Sequence, residues 1–173
     1  TTEELISPEP HEFRRVSEAL LKNSNELYIV DPFLDIHKKK NCFSVLASLV
    51  SGIDGRKCER VIIYSRYDEL LTKDLPDDDV LNLLEEIMFM KSRRPPILEY
   101  ILVNDKNSIE RMHLRFLFSI QGGVEFEKGL QKGRPGSKVK VNPTDSNTHK
   151  ALVDFFIKRR TDFQVVKSYR QVP

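Results

Sequence analysis

Apolar positions along this chain recur at helical spacing, then at strand spacing, several times in succession. SPEPHEFRRVSEALLKNS sets Phe13, Val16 and Leu20 on one helical stripe, with Ser7 as N-cap and Pro8 near the start. ELYIVDP is a short strand of buried type that Pro32 must end. NCFSVLASLVSG carries Phe43, Leu46, Leu49 and Val50 at helical spacing and stops at Gly52. RVIIYS is the next strand. DDDVLNLLEEIMFMKS is the next helix, its Asp77, Asp78 and Asp79 at the end where the helix dipole favours acids and its Met88 and Met90 on a core stripe. SRRPP is a stop, and ILEYILV is a third strand. After Val103 the character changes: MHLRFLFSI, VEFEKGL and KVKVNP follow quickly, joined by glycine-rich turns, before a closing helix in NTHKALVDFFIKRRTDF through Leu152, Phe155 and Phe156 and a last strand in QVVKSY.

Strand and helix alternate first, then strands follow one another. That order predicts an α/β fold with a mixed sheet: a parallel centre built by right-handed crossovers, antiparallel hairpins at the edge, and helices on both faces. At 173 residues and 39% hydrophobic content, one core and one domain spanning residues 1–173 are expected. The chain begins without methionine, which raises a domain excised from a longer protein.

In MHLRFLFSI, Met112, Leu114, Phe116, Phe118 and Ile120 alternate with His113, Arg115, Leu117 and Ser119, so the even positions are expected on the core face. His113 and Arg115 then share the other face, about 6.5 to 7 Å apart. A three-residue loop of Gln121, Gly122 and Gly123 would pair Phe118 with Phe126 and Ile120 with Val124, keeping carboxylates off the apolar face. In that register Glu125 and Glu127 join His113 and Arg115, with Glu127 diagonal to Arg115. An imidazole can attack phosphorus or move protons, a guanidinium clamps phosphate oxygens, and a carboxylate orients the imidazole. The same residues also make an ordinary solvated sheet face with an inexpensive ion pair.

Charge narrows the partners. With 28 basic and 26 acidic residues the formal net charge is +2, too even for a DNA-coating protein, so any contact with phosphates must be local. KGLQKGRPGSKVKV holds Lys128, Lys132, Arg134, Lys138 and Lys140 with no acid after Glu127, either a basic loop for nucleic-acid or anionic-lipid phosphates or a solvated edge strand guarded by lysines. Lys38 to Lys40 and Arg93/Arg94 are weaker versions of that signal. Asp31 and Asp35 flank Pro32 at the end of the first strand, where open α/β sheets build ligand sites and where aspartates also cap turns. His11, His37 and His149 lack ligand-spaced partners, so neither a metal nor a cofactor is expected. Cys42 and Cys58 lack metal or disulfide spacing and fit a reduced, cytoplasmic setting; no run reaches a membrane span and TTEELISPEP has no signal-peptide core.

The order of elements and the stretches DPFL, MHLRF, EKGLQKGRPGS and HKALVDFF resemble one half of the phospholipase D superfamily. More closely, they are similar to the C-terminal phospholipase D-like domain of the MIT-domain cytokinesis protein and its prokaryotic relatives. The resemblance runs from about Glu26 to Phe156. It implies that His113 holds the nucleophile's place and Arg115 that of the phosphate-binding lysine. It also implies that a hydrolytic member needs two such histidines, hence a homodimer here. The family's aspartate position is Ile120, which can neither accept a proton nor orient an imidazole, and the downstream Gly-Ser-x-Asn pattern is not clear. Three functions follow as expectations: a phosphate-binding module with weak or no catalysis, a homodimeric phosphodiesterase or nuclease in which Glu125 or Glu127 replaces the aspartate, or a protein-interaction domain within a larger protein.

Overall fold

In a computed structural model the chain is described over residues 3–37, 41–67, 75–89, 94–104, 115–158 and 164–173. The central strands form where apolar runs are bounded by breakers. Leu27 to Val30 make β2 (Glu26–Val30), and Arg60–Arg66 and Ile97–Asn104 make β3 and β4, parallel to it. β5 (Arg115–Ser119) runs antiparallel on the other side of β2, followed by β6 (Gly122–Phe126) and β7 (Val139–Pro143). β8 (Gln164–Gln171) is antiparallel to β4. A short β1 (Glu4–Ile6), which no alternation in the sequence marks, closes the sheet on β7. The eight-stranded order is β1-β7-β6-β5-β2-β3-β4-β8, a parallel centre with antiparallel flanks.

Successive residues of each central strand enter opposite cores, because both faces of the sheet are covered. Leu27, Ile29, Val61, Ile63, Leu98 and Leu117 point to the larger core, under α1 (Pro10–Asn23), α2 (Cys42–Ser51) and α3 (Asp77–Phe89). Tyr28, Val30, Ile62, Tyr64, Phe116 and Phe118 point to the smaller one, under α4 (Ser146–Leu152) and the π-helical turn Val153–Ile157 that continues it. There Tyr28 stacks on Phe118 at 5.4 Å, and Phe156 lies 5.2 Å from Tyr64 and 5.9 Å from Phe118. The helices thus lie on both faces, as expected.

Three local expectations are corrected. α1 starts at Pro10 with Glu9 as its N-cap, not at Ser7, because the fixed φ of Pro10 suits the first helical position. The β5–β6 hairpin turns through Ile120 and Gln121, pairing Phe118 with Gly123 and Phe116 with Glu125 in place of the three-residue loop. Leu117 is as buried as Phe116 and Phe118, so alternation does not mark a single core face, and Ile120 is 61% exposed at the tip. Gly123 makes this register possible: a Cβ there would stand 2.7 Å from the Phe118 Cβ. Third, Val139–Pro143 is not an edge strand, since β1 covers its outer side.

The topology gathers one end of the sheet. β2 and β3 finish there, β5 starts there, and the connection from β6 to β7 crosses it.

Candidate functional site

Asp31 follows β2 directly, and its N–H donates to the Tyr64 carbonyl at 3.1 Å, extending the parallel ladder by one rung. Its carboxylate is 1% exposed. Oδ1 accepts the Phe33 N–H at 2.9 Å, closing the turn around Pro32, and Oδ2 accepts the Leu130 N–H at 2.9 Å. A Cβ on Gly129 would come within 3.3 Å of Oδ2, so glycine allows the loop to approach this closely. Burial pushes the Asp31 carboxyl above the usual range, against the two N–H donors and the nearby Arg115 charge, which pull it down. Asp31 is therefore a strap between strand end and loop. Asp35 caps a second turn, Oδ1 accepting the His37 N–H at 2.9 Å.

The turn that Asp31 holds presents Phe33, 58% exposed. β3 and β5 flank β2, and each ends or begins here with an arginine. The Arg66 guanidinium carbon lies 5.5 Å from the Phe33 ring centre and that of Arg115 lies 5.3 Å from it. Both are cation–π contacts. An Arg115 terminal N–H also donates to the Glu127 carbonyl at 3.4 Å. Its Nε is buried, with no hydrogen-bond partner among the described residues.

The remaining candidates divide. Glu127 and Lys128 are exposed beside Arg115, and Arg115 reaches the Glu127 backbone, not its carboxylate. Glu125, expected on the Arg115 face, lies opposite Phe116 on the other face, the direct result of the corrected turn. His113 lies outside the described residues, as do Lys38 to Lys40 and Arg93. The 128 to 140 segment is latched down: Leu130 is fully buried, the Lys132 N–H donates to Asn41 and the Gly133 N–H to Pro8, each at 3.0 Å. Gly136, at φ 83°, turns the chain back toward Ser137, whose hydroxyl donates to the Arg134 carbonyl at 2.6 Å. Lys132, Arg134 and Lys138 remain exposed, while Lys140 pairs with Glu3 at 3.2 Å.

Sequence reasoning passed over Phe33 and Arg66; the signal available was that residues following adjacent parallel strands emerge at one edge. It also gave His149 no role. His149 Nε2 stands 2.7 Å from the Ser119 carbonyl and ties α4 to the β5–β6 hairpin. Both cysteines are buried, and burial pushes the Cys58 thiol up to about 11. No group of three or more His, Cys, Asp or Glu among the described residues could hold a metal ion. No helix among them is long and apolar enough to cross a membrane.

Beside Phe33 and Arg66 a cavity of about 80 Å³ opens between the turn, β3, β4 and the start of α3. Leu34, Ile36, Val80 and Leu102 supply much of its wall.

No family model matches the chain, and no curated protein matches it. Among solved structures it is similar to TrmBL2, an archaeal chromatin protein whose structure shows a mode of DNA binding. The TM-score is 0.43 and the identity 11%, over 96% of this chain and 55% of that one. That similarity is too loose to carry function from one to the other.

Proposed function

We propose that this chain is a phospholipase D-like module that binds phosphate groups at the end of the sheet where β2 and β3 finish, with weak or no hydrolysis. The observation that carries the reading is the pair of guanidiniums, Arg66 and Arg115, that both lie against the exposed Phe33 ring at the end of the sheet. The outer nitrogens of Arg115 lie at the exposed end of the side chain, where a guanidinium makes charge-assisted hydrogen bonds to phosphate oxygens. Phe33 keeps each guanidinium within 5.5 Å of its ring centre, so the two charges stand no further apart than twice that distance. Lys128, Lys132, Arg134 and Lys138 extend positive charge away from this point along one loop. The ligand is a phosphate ester, borne on a nucleic-acid backbone or an anionic lipid headgroup. Weak catalysis follows from Ile120 at the aspartate's place, exposed at a hairpin tip, and from Glu125 on the wrong face to replace it.

The test is binding to a labelled single-stranded oligonucleotide by anisotropy and to anionic phospholipid vesicles by co-sedimentation, each across a salt series. Affinity should fall as salt rises, for one probe or both, and Arg115→Gln should weaken it about 10- to 100-fold. Salt-dependent binding to neither probe refutes the reading. Efficient cleavage of a generic phosphodiester, abolished in His113→Ala, would make the protein an enzyme instead.

A further inference from the structure

The cavity beside Arg66 is walled largely by hydrocarbon, and its interior polar groups are already engaged. The Tyr100 hydroxyl donates to the Leu34 carbonyl at 3.1 Å and the Ser65 hydroxyl donates to the same oxygen at 2.9 Å. Among the described residues nothing inside therefore calls for a polar ligand atom, and an apolar cavity of this kind gains by filling with carbon. Its rim is different. Arg66 lines it while also lying over Phe33, so one arginine borders both the cavity and the proposed phosphate site. The acid on the rim, Asp35, has one oxygen taken by the His37 N–H.

We infer that this cavity receives the organic group of a phosphate ester whose phosphate Arg66 holds, and that this group is compact and apolar. An apolar cavity of about 150 Å³ accepts the six carbons of benzene, so a space of about 80 Å³ suits about three carbons next to the ester oxygen. This inference rests on the reading of the strand ends as a phosphate site and adds a choice among phosphates. A free phosphate or a methyl ester would bind the arginines alone, and a branched or short-chain ester would also fill the pocket.

Titration of the full chain with inorganic phosphate, methyl phosphate and isopropyl phosphate tests this, read by amide chemical shifts and calorimetry. Isopropyl phosphate should bind about tenfold tighter than methyl phosphate, since each buried methylene is worth roughly fourfold. It should shift the amides of Leu34, Ser65, Tyr100 and Leu102, which inorganic phosphate leaves in place. Val80→Phe or Leu75→Phe should bring isopropyl phosphate back to the affinity of methyl phosphate. Equal affinities for the three probes, with salt-dependent binding intact, overturn the cavity's role and leave the phosphate site standing. Binding of none of them overturns the inference, and the phosphate reading falls with it only if the oligonucleotide and the vesicles also fail to bind. A tenfold gain that survives in both filled variants, or equal binding of isopropanol and isopropyl phosphate, also overturns the inference.

Discussion

Replacing Asp31 by asparagine separates two opposing effects on one buried carboxylate. Asn keeps the oxygen that accepts the Phe33 N–H but turns an NH₂ donor toward the Leu130 N–H, where Oδ2 now accepts at 2.9 Å. One buried donor is lost from its partner, and a second is brought against it. The cost should be about 1–3 kcal/mol at neutral pH. For a chain of 173 residues that corresponds to a fall in Tm of about 2–12 °C. The pH dependence is the sharper readout. Burial is the largest influence on Asp31 and raises its folded pKa above the unfolded value. Between those two values the folded chain keeps a proton that the unfolded chain has released, so stability contributed here falls as pH rises. Chemical denaturation of both proteins from pH 3 to 8 should therefore show the advantage of wild type over Asp31→Asn shrinking as pH climbs above the ordinary carboxylate range. An advantage that grows with pH instead would mean that the two N–H donors and Arg115 outweigh desolvation, and the argument from burial would be wrong.

Gly123→Ala should cost about 1–3 kcal/mol in urea unfolding, since the new Cβ meets the Phe118 Cβ at 2.7 Å with Thr144 close by; an unchanged midpoint would refute the register drawn here. Ellman's reagent at pH 7.5 should leave both thiols unreacted in the native protein and modify both after denaturation, because Cys42 and Cys58 are buried and Cys58 is held near 11. Fast labelling of the native protein would contradict that burial.

The parallel centre was legible because Leu27–Val30, Val61–Ser65 and Leu98–Val103 are apolar runs bounded by Pro32, Arg66 and Asn104, with helical patterns between them. The hairpin register was not legible, for a physical reason: Leu117 belongs to one core and Phe116 and Phe118 to the other, so alternation there no longer distinguishes inside from outside. Everything built on that register inherited the slip, including Glu125 as a neighbour of Arg115. Arg115 itself stood out as a cation within an apolar strand, although it begins that strand instead of lying inside it. Phe33 and Arg66 were missed because an exposed aromatic in a turn and a charged strand terminus carry no local signal; only the adjacency of β2, β3 and β5 unites them. The basic segment read as either a flexible loop or a solvated edge strand, because its composition suits both. Its anchors, the N–H groups of Leu130, Lys132 and Gly133, are backbone groups that no composition reveals. β1 was invisible for a related reason: a three-residue strand exists only through its partner at the far end of the sequence.

That small strand has a use out of proportion to its length. Were Glu4–Ile6 peeled away, the outer rim of Val139–Pro143 would offer its amides and carbonyls to any passing extended peptide, which is how folded proteins stick to one another and seed fibrils. With it in place, Val139 to Val141 are covered by a stub of three residues, too brief to template much growth, and Lys140 holding Glu3 helps to pin the stub down. The opposite rim is longer and carries the long charged side chains of Lys167 and Arg170, each drawn toward an acid of its own molecule, Asp77 at 3.1 Å and Glu99 at 4.0 Å.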